Sequence, residues 1–98
     1  METITDVARK IHINAQEHGW WDAQRSIPEL LCLIHSEVSE ALEAYRKDDA
    51  NNLNEELADI VIRVFDMAVG LGVDIEAEIL RKHTINKNRP FRHGGKKC

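Results

Sequence analysis

The chain has 98 residues, 43% of them hydrophobic and 31% charged, with 17 acidic against 13 basic side chains and a formal net charge of −4. This composition fits one globular domain over residues 1–98, and no apolar run approaches the ~18–20 residues needed to cross a bilayer. The acidic start, Met1-Glu2-Thr3-Ile4-Thr5-Asp6, lacks the basic and apolar blocks of a secretion signal, and Cys32 and Cys98 have neither disulfide-framework nor zinc-site spacing, so a cytoplasmic protein is expected.

A first helix is expected over residues 5–17, where Ile4, Val7, Ala8, Ile11 and Ala15 recur at helical spacing and Gly19 supplies a stop. Trp20 and Trp21 follow in a loop that runs to Arg25. Ser26-Ile27-Pro28-Glu29 has the form of a capping box, with Pro28 in the first turn, where it forfeits no helical hydrogen bond. The second helix should continue from there to Tyr45 or Arg46, with Cys32 serving as a small apolar residue. Lys47-Asp48-Asp49-Ala50-Asn51-Asn52 is a polar turn that offers several N-caps.

A third helix is expected over residues 53–69, ending at Gly70 and Gly72. Asp74 then caps a fourth, from Ile75 to Asn86 or Lys87, which Arg89-Pro90 terminates. The end of the chain is cationic: Arg81, Lys82, Lys87, Arg89, Arg92, Lys96 and Lys97 meet no acid after Glu78. Residues 91–98 read as an irregular basic tail, either solvated or closing over a phosphorylated ligand. Four helices on short links predict an all-α, four-helix bundle-like single domain.

The chemistry is expected on the inner helices. On the second, Leu30, Leu31, Ile34, Val38, Ala41, Leu42 and Tyr45 form the apolar face, and Glu37 lies beside it with Glu40 one turn on. The third helix is apolar around most of its circumference and should be largely buried, leaving a narrow polar strip of Glu55, Glu56, Asp59, Arg63 and Asp66. Two consecutive helices therefore each carry an acidic pair at i,i+3 spacing, Glu37 with Glu40 and Glu56 with Asp59. Antiparallel packing would bring the pairs together, and four close carboxylates require either protonation or a cation. Ligands that are all oxygen suit a hard ion, Mg²⁺ or Mn²⁺. A ferritin-like di-iron site needs Glu-x-x-His, and here Glu40 and Asp59 stand where histidine would be. Arg63 has Asp59 and Asp66 within reach on its own helix.

This pattern resembles the MazG-type, all-α nucleoside triphosphate pyrophosphohydrolases. Their mark is Glu-x-x-Glu, a spacer, then Glu-x-x-Asp, matched here by Glu37-Val38-Ser39-Glu40 and Glu56-Leu57-Ala58-Asp59. A second signature, a Lys, an Asn four residues on and an Arg three beyond, is matched by Lys82, Asn86 and Arg89 on the last helix. The resemblance covers about residues 19–92 and implies that Glu37, Glu40, Glu56 and Asp59 hold Mg²⁺, with Mn²⁺ as a substitute. It also implies that water attacks the α-phosphorus of a nucleoside triphosphate and pyrophosphate leaves. A spare carboxylate, Glu37 or Glu40, can take the water's proton. Lys82, Asn86 and Arg89 would meet phosphate, base or sugar, and Trp21 would line the base pocket, since aromatic faces stack nucleobases. His12, off the main apolar stripe, could reach a bound base or be structural.

The apolar surplus of the third helix predicts a homodimer or a dimer of dimers. Two other readings stand beside the enzyme. One is a non-catalytic helical interaction module that keeps the fold. The other, a nucleic-acid binder using the tail, is disfavoured by the net acidity and the lack of a continuous basic stripe.

Overall fold

A computed structural model describes residues 1–91 and is all-α: α1 (Ile4–Glu17), α2 (Ile27–Arg46), α3 (Ala50–Gly70) and α4 (Ile75–Lys87). No strand occurs among the described residues, and no helix there is long and apolar enough to cross a membrane. The expected basic tail, apart from its first residue, the exposed Phe91, falls outside the described residues.

Each helix starts on a side-chain cap. Thr3 and Asp6 bond each other's backbone amides reciprocally, at 3.1 and 2.9 Å, so α1 begins at Ile4 rather than Thr5. Ser26 accepts from the Glu29 amide at 3.2 Å, but the Glu29 carboxylate pairs with Arg25 instead of closing the box. Asp49 accepts from the Asn52 amide and starts α3 three residues earlier than the apolar pattern indicates. Asp74 caps α4 in the same way. Three helices end in a left-handed residue: Gly19 (φ 82°), Gly72 (φ 76°) and Asp48 (φ 54°). The paired closing bonds after α3, Val73 N–H to Ala68 O and Gly72 N–H to Val69 O, form a Schellman motif that turns the chain sharply toward α4.

The short link at 47–49 makes α2 and α3 an antiparallel hairpin. Ala41 and Ala44 are buried within it, and small side chains let the two backbones approach closely. Ala8 of α1 and Ala68 of α3 are also buried, where α1 lies across α3. The start of α4 is tied to α1 by the Thr5 amide, which donates to Glu76 Oε1 at 3.1 Å. Beyond Glu76 every residue of α4 is exposed, and α4 does not pack on α2.

The core is therefore thin. Among the described residues only Ala8, Leu30, Ala41, Ala44 and Ala68 are buried. Several expectations change accordingly. Cys32 is exposed rather than packed among its apolar neighbours. The helix expected to be largely buried, α3, buries only Ala68, because its cover within one chain is α2 and α1 with only marginal contact from α4. Leu31, Val38, Leu42 and Tyr45 of α2 and Leu57 and Val61 of α3 form an exposed apolar surface. The accessible area is 7633 Å², against about 5,700 Å² for a compact monomer of this mass.

The loop after α1 is held by Trp21, whose ring covers Gly70: a Cβ there would collide with Trp21 Cη2. Gly70→Ala must displace a ring that is also hydrogen-bonded, an overpacking cost of about 1–3 kcal/mol that outweighs the helix-propensity gain of up to ~1 kcal/mol. The expected result is a lower urea midpoint together with a shift in tryptophan emission.

Candidate metal centre

The hairpin register sets Glu37 of α2 opposite Glu56 and Asp59 of α3. One carboxylate oxygen from each lies within 4.8 Å of the others. Glu40, exposed one turn along α2, stands beside Glu56 and acts on it electrostatically. The structure thus brings together three of the four acids read from the sequence, with the fourth at the rim.

The environments of these acids differ. Glu56 is half-buried, and its Oε2 is shielded from solvent with no hydrogen-bond partner. Desolvation, then the carboxylates of Glu40, Glu37 and Asp59, push its pKa up to about 7. Glu37 goes the other way. Arg63 Nε donates to its Oε1 at 2.9 Å, and this cation holds the carboxyl below its ordinary range. The Arg63 partner expected on its own helix, Asp59 or Asp66, is not the one observed. The Glu37 side chain, only 12% exposed, has little water to compensate its charge and so gains most from a guanidinium. Asp59 is exposed. Three carboxylates with one oxygen each within 4.8 Å of the others, one residue of them also holding a buried, unpartnered oxygen, are a donor set that fits a hard divalent cation.

A cavity of about 580 Å³ opens onto the cluster, with Glu37, Asp59 and Arg63 in its wall. That volume lies in the range of small-molecule sites. Its other walls include Lys10 and Asn14 of α1, His18 just after it, the loop residues Trp20, Trp21 and Arg25, Leu33 of α2, and Ile62 and Asp66 of α3. Asp66 fixes the back of it. The same oxygen, Oδ1, accepts from Trp21 Nε1 at 2.9 Å and from His12 Nδ1 at 2.8 Å. The two rings meet edge to face with centroids 5.0 Å apart. The guanidinium carbons of Arg25 and Arg63 lie 5.5 and 5.6 Å from the Trp20 ring centroid.

The second signature is placed elsewhere. Lys82, Asn86 and Arg89 are exposed and do not line the cavity, because α4 leaves the α2–α3 hairpin. The sequence reading missed Asp66, Arg25 and Asn14 as wall residues. For Asp66 a signal existed: it falls two turns after Asp59 on the same narrow polar strip. Nothing in the local pattern marks Arg25 or Asn14.

A family model described as the MazG-like family matches residues 22–96. Comparison with curated proteins and with solved structures finds no match.

The raised pKa of Glu56 makes stability depend on pH. In the metal-free protein the folded state keeps a proton that the unfolded state releases above the ordinary value of 4.5. Stability from the protonated form is full below that value and is lost as pH rises through about 7. In chelator, the Tm of the native protein is expected to fall between about pH 5 and about pH 8, and Glu56→Gln is expected to flatten the profile. Equal slopes would show that Glu56 titrates normally.

Proposed function

The chain belongs to the MazG-like family, and on that premise we propose that it is a magnesium-dependent nucleoside triphosphate pyrophosphohydrolase. The substrate is a ribo- or deoxyribonucleoside triphosphate; the products are the nucleoside monophosphate and pyrophosphate. One observation carries the reading: Glu37, Glu56 and Asp59 bring one carboxylate oxygen each within 4.8 Å of the others, and Glu56 also holds an oxygen, Oε2, out of solvent and without a partner. Unless protonated, that group needs a cation.

Glu37, Glu56 and Asp59, with Glu40 at the rim, would hold the ion. When bound, Mg²⁺ supplies charge neutralisation for the phosphates and a more acidic water. In the reaction the water oxygen bonds to the α-phosphorus, the bridge to the β-phosphorus breaks, and pyrophosphate leaves with the bridging oxygen. The water's proton passes to a carboxylate of α2. Glu40, exposed at the rim and outside the close set of Glu37, Glu56 and Asp59, is the carboxylate left over for this role. The cavity beside the acids has the size and the aromatic wall for a nucleobase, with Trp21 held rigid by Asp66 and Gly70 and Trp20 more exposed.

The active form in this reading is a homodimer or a dimer of dimers. The exposed stripe of Leu31, Val38, Leu42 and Tyr45 is the surface to be covered. Through it α4 can pack on a second copy and bring Lys82 and Asn86 toward its substrate, with Arg89 just past the helix end.

With Mg²⁺ and a panel of nucleoside triphosphates, pyrophosphate release is expected, and no orthophosphate. Losing an outer-sphere partner of a metal commonly costs 10–100-fold, so loss of a ligand in Glu56→Gln or Asp59→Asn should lower turnover by at least about 100-fold. Orthophosphate as the product, or full turnover in both variants, would overturn the assignment. Light scattering should give two or four times the 11.2 kDa chain mass, and Leu42→Glu, which puts a charge in the centre of the stripe, should shift it toward the monomer.

A further inference from the structure

Arg63 stands where the acidic cluster meets the cavity. It lies one turn after Asp59 on the polar strip of α3, reaches across to Glu37, and rests near the Trp20 ring. Its side chain is 30% exposed and its partner's 12%, so the pair is shielded on the side of the acids and open on the side of the cavity. The bond to Glu37 uses Nε, the donor nearest the backbone. A guanidinium carries four further N–H donors on its terminal nitrogens, in a fork that matches phosphate oxygens. The Trp20 face gives the cation a second partner inside the cavity, so leaving Glu37 does not require entering bulk water.

We propose that Arg63 is an exchangeable counter-ion of the acidic cluster: it neutralises Glu37 while no divalent cation is bound, and transfers to a phosphate of the nucleotide when the cation takes Glu37. This rests on the reading of the cluster as a cation site. It follows from charge balance at one carboxylate. Glu37 cannot serve a guanidinium and a divalent ion equally, since the two cations repel at that distance. A guanidinium displaced from Glu37 toward the cavity is directed at the space a bound nucleotide occupies. Cation and nucleotide binding are thereby coupled: each one favours the Arg63 position that the other needs.

The roles separate in binding measurements on the full chain. Mn²⁺ alone is titrated by electron paramagnetic resonance into the native protein, Arg63→Gln, Arg63→Lys and Glu56→Gln. A triphosphate with an α,β-imido bridge, which is not cleaved, is then titrated at saturating Mn²⁺. Removing the competing cation should tighten Mn²⁺ binding in Arg63→Gln by roughly fivefold or more. The same variant should bind the imido-triphosphate about tenfold more weakly, the scale of a lost charge-assisted hydrogen bond. Arg63→Lys, which keeps the charge, should stay near native for Mn²⁺. Misfolding does not raise metal affinity, so tighter Mn²⁺ binding supports exchange. Unchanged or weaker Mn²⁺ binding in Arg63→Gln would overturn it and leave Arg63 as a fixed orienter of Glu37. If Glu56→Gln and the native protein bind Mn²⁺ alike, the cation site itself fails, and the exchange proposal with it.

Discussion

The structure depends on one constraint: two helices that pack face to face carry like charges on the faces they share. Ala41 and Ala44 let α2 approach α3 closely, and the same approach drives Glu37, Glu56 and Asp59 to within 4.8 Å of one another. Close packing and charge repulsion therefore arise from the same register. The chain answers the repulsion in two ways without a ligand. Arg63 neutralises Glu37, and Glu56 gains proton affinity until it is a half-protonated acid near neutral pH. Both answers are incomplete, since the Glu56 Oε2 atom is left without a partner. A site that folds with unfinished electrostatics is prepared to bind what finishes them.

The thin core is the second half of the same economy. With buried positions filled mostly by alanine, little apolar area is removed from water inside one chain, and hydrophobic stabilisation scales with that area. Leu31, Val38, Leu42 and Tyr45 are the large side chains of α2 that a self-sufficient domain would bury; here they face outward. The detachment of α4 beyond Glu76 has the same origin, because α2 and α1 already occupy the faces of α3 against which it could lie.

Much of this was legible in the sequence, and the boundary is physical. Features set by a few adjacent residues were readable: the Ser26 and Asp74 caps, Pro28 in a first turn, the stops at Gly19 and Gly72, and the two acidic pairs on facing helices. Start sites moved where a shorter acid replaced the usual cap partner, as at Thr3 and Asp6, or where several caps competed, as at Asp49. What the sequence could not supply were choices between partners far apart along the chain. Local spacing offers Arg63 two acids on its own helix, yet the partner it takes is 26 positions away. The pattern shows Asp66 only as the end of a polar strip, while the fold makes it the shared acceptor of residues 45 and 54 positions away. Burial was misjudged for α3 because periodicity says which face is apolar, not whether the chain contains enough material to cover it.

The polar strip of α3 joins these observations. Along one face it carries the clustered acids Glu56 and Asp59, Arg63 at the boundary, and Asp66 behind the aromatic wall of the cavity. All four stand on one helix, so the spacing of their backbone positions is fixed. Their partners, however, lie on other elements: Glu37 on α2, His12 on α1, and Trp20 and Trp21 in the loop. A small shift of α3 against α2 would therefore alter the cation cluster, the Arg63 position and the cavity wall together. A site divided among independent loops would lack this property. In the proposed reading, the base end and the phosphate end of a nucleotide would be coupled through a single rod, with Arg63 at the point where the two meet.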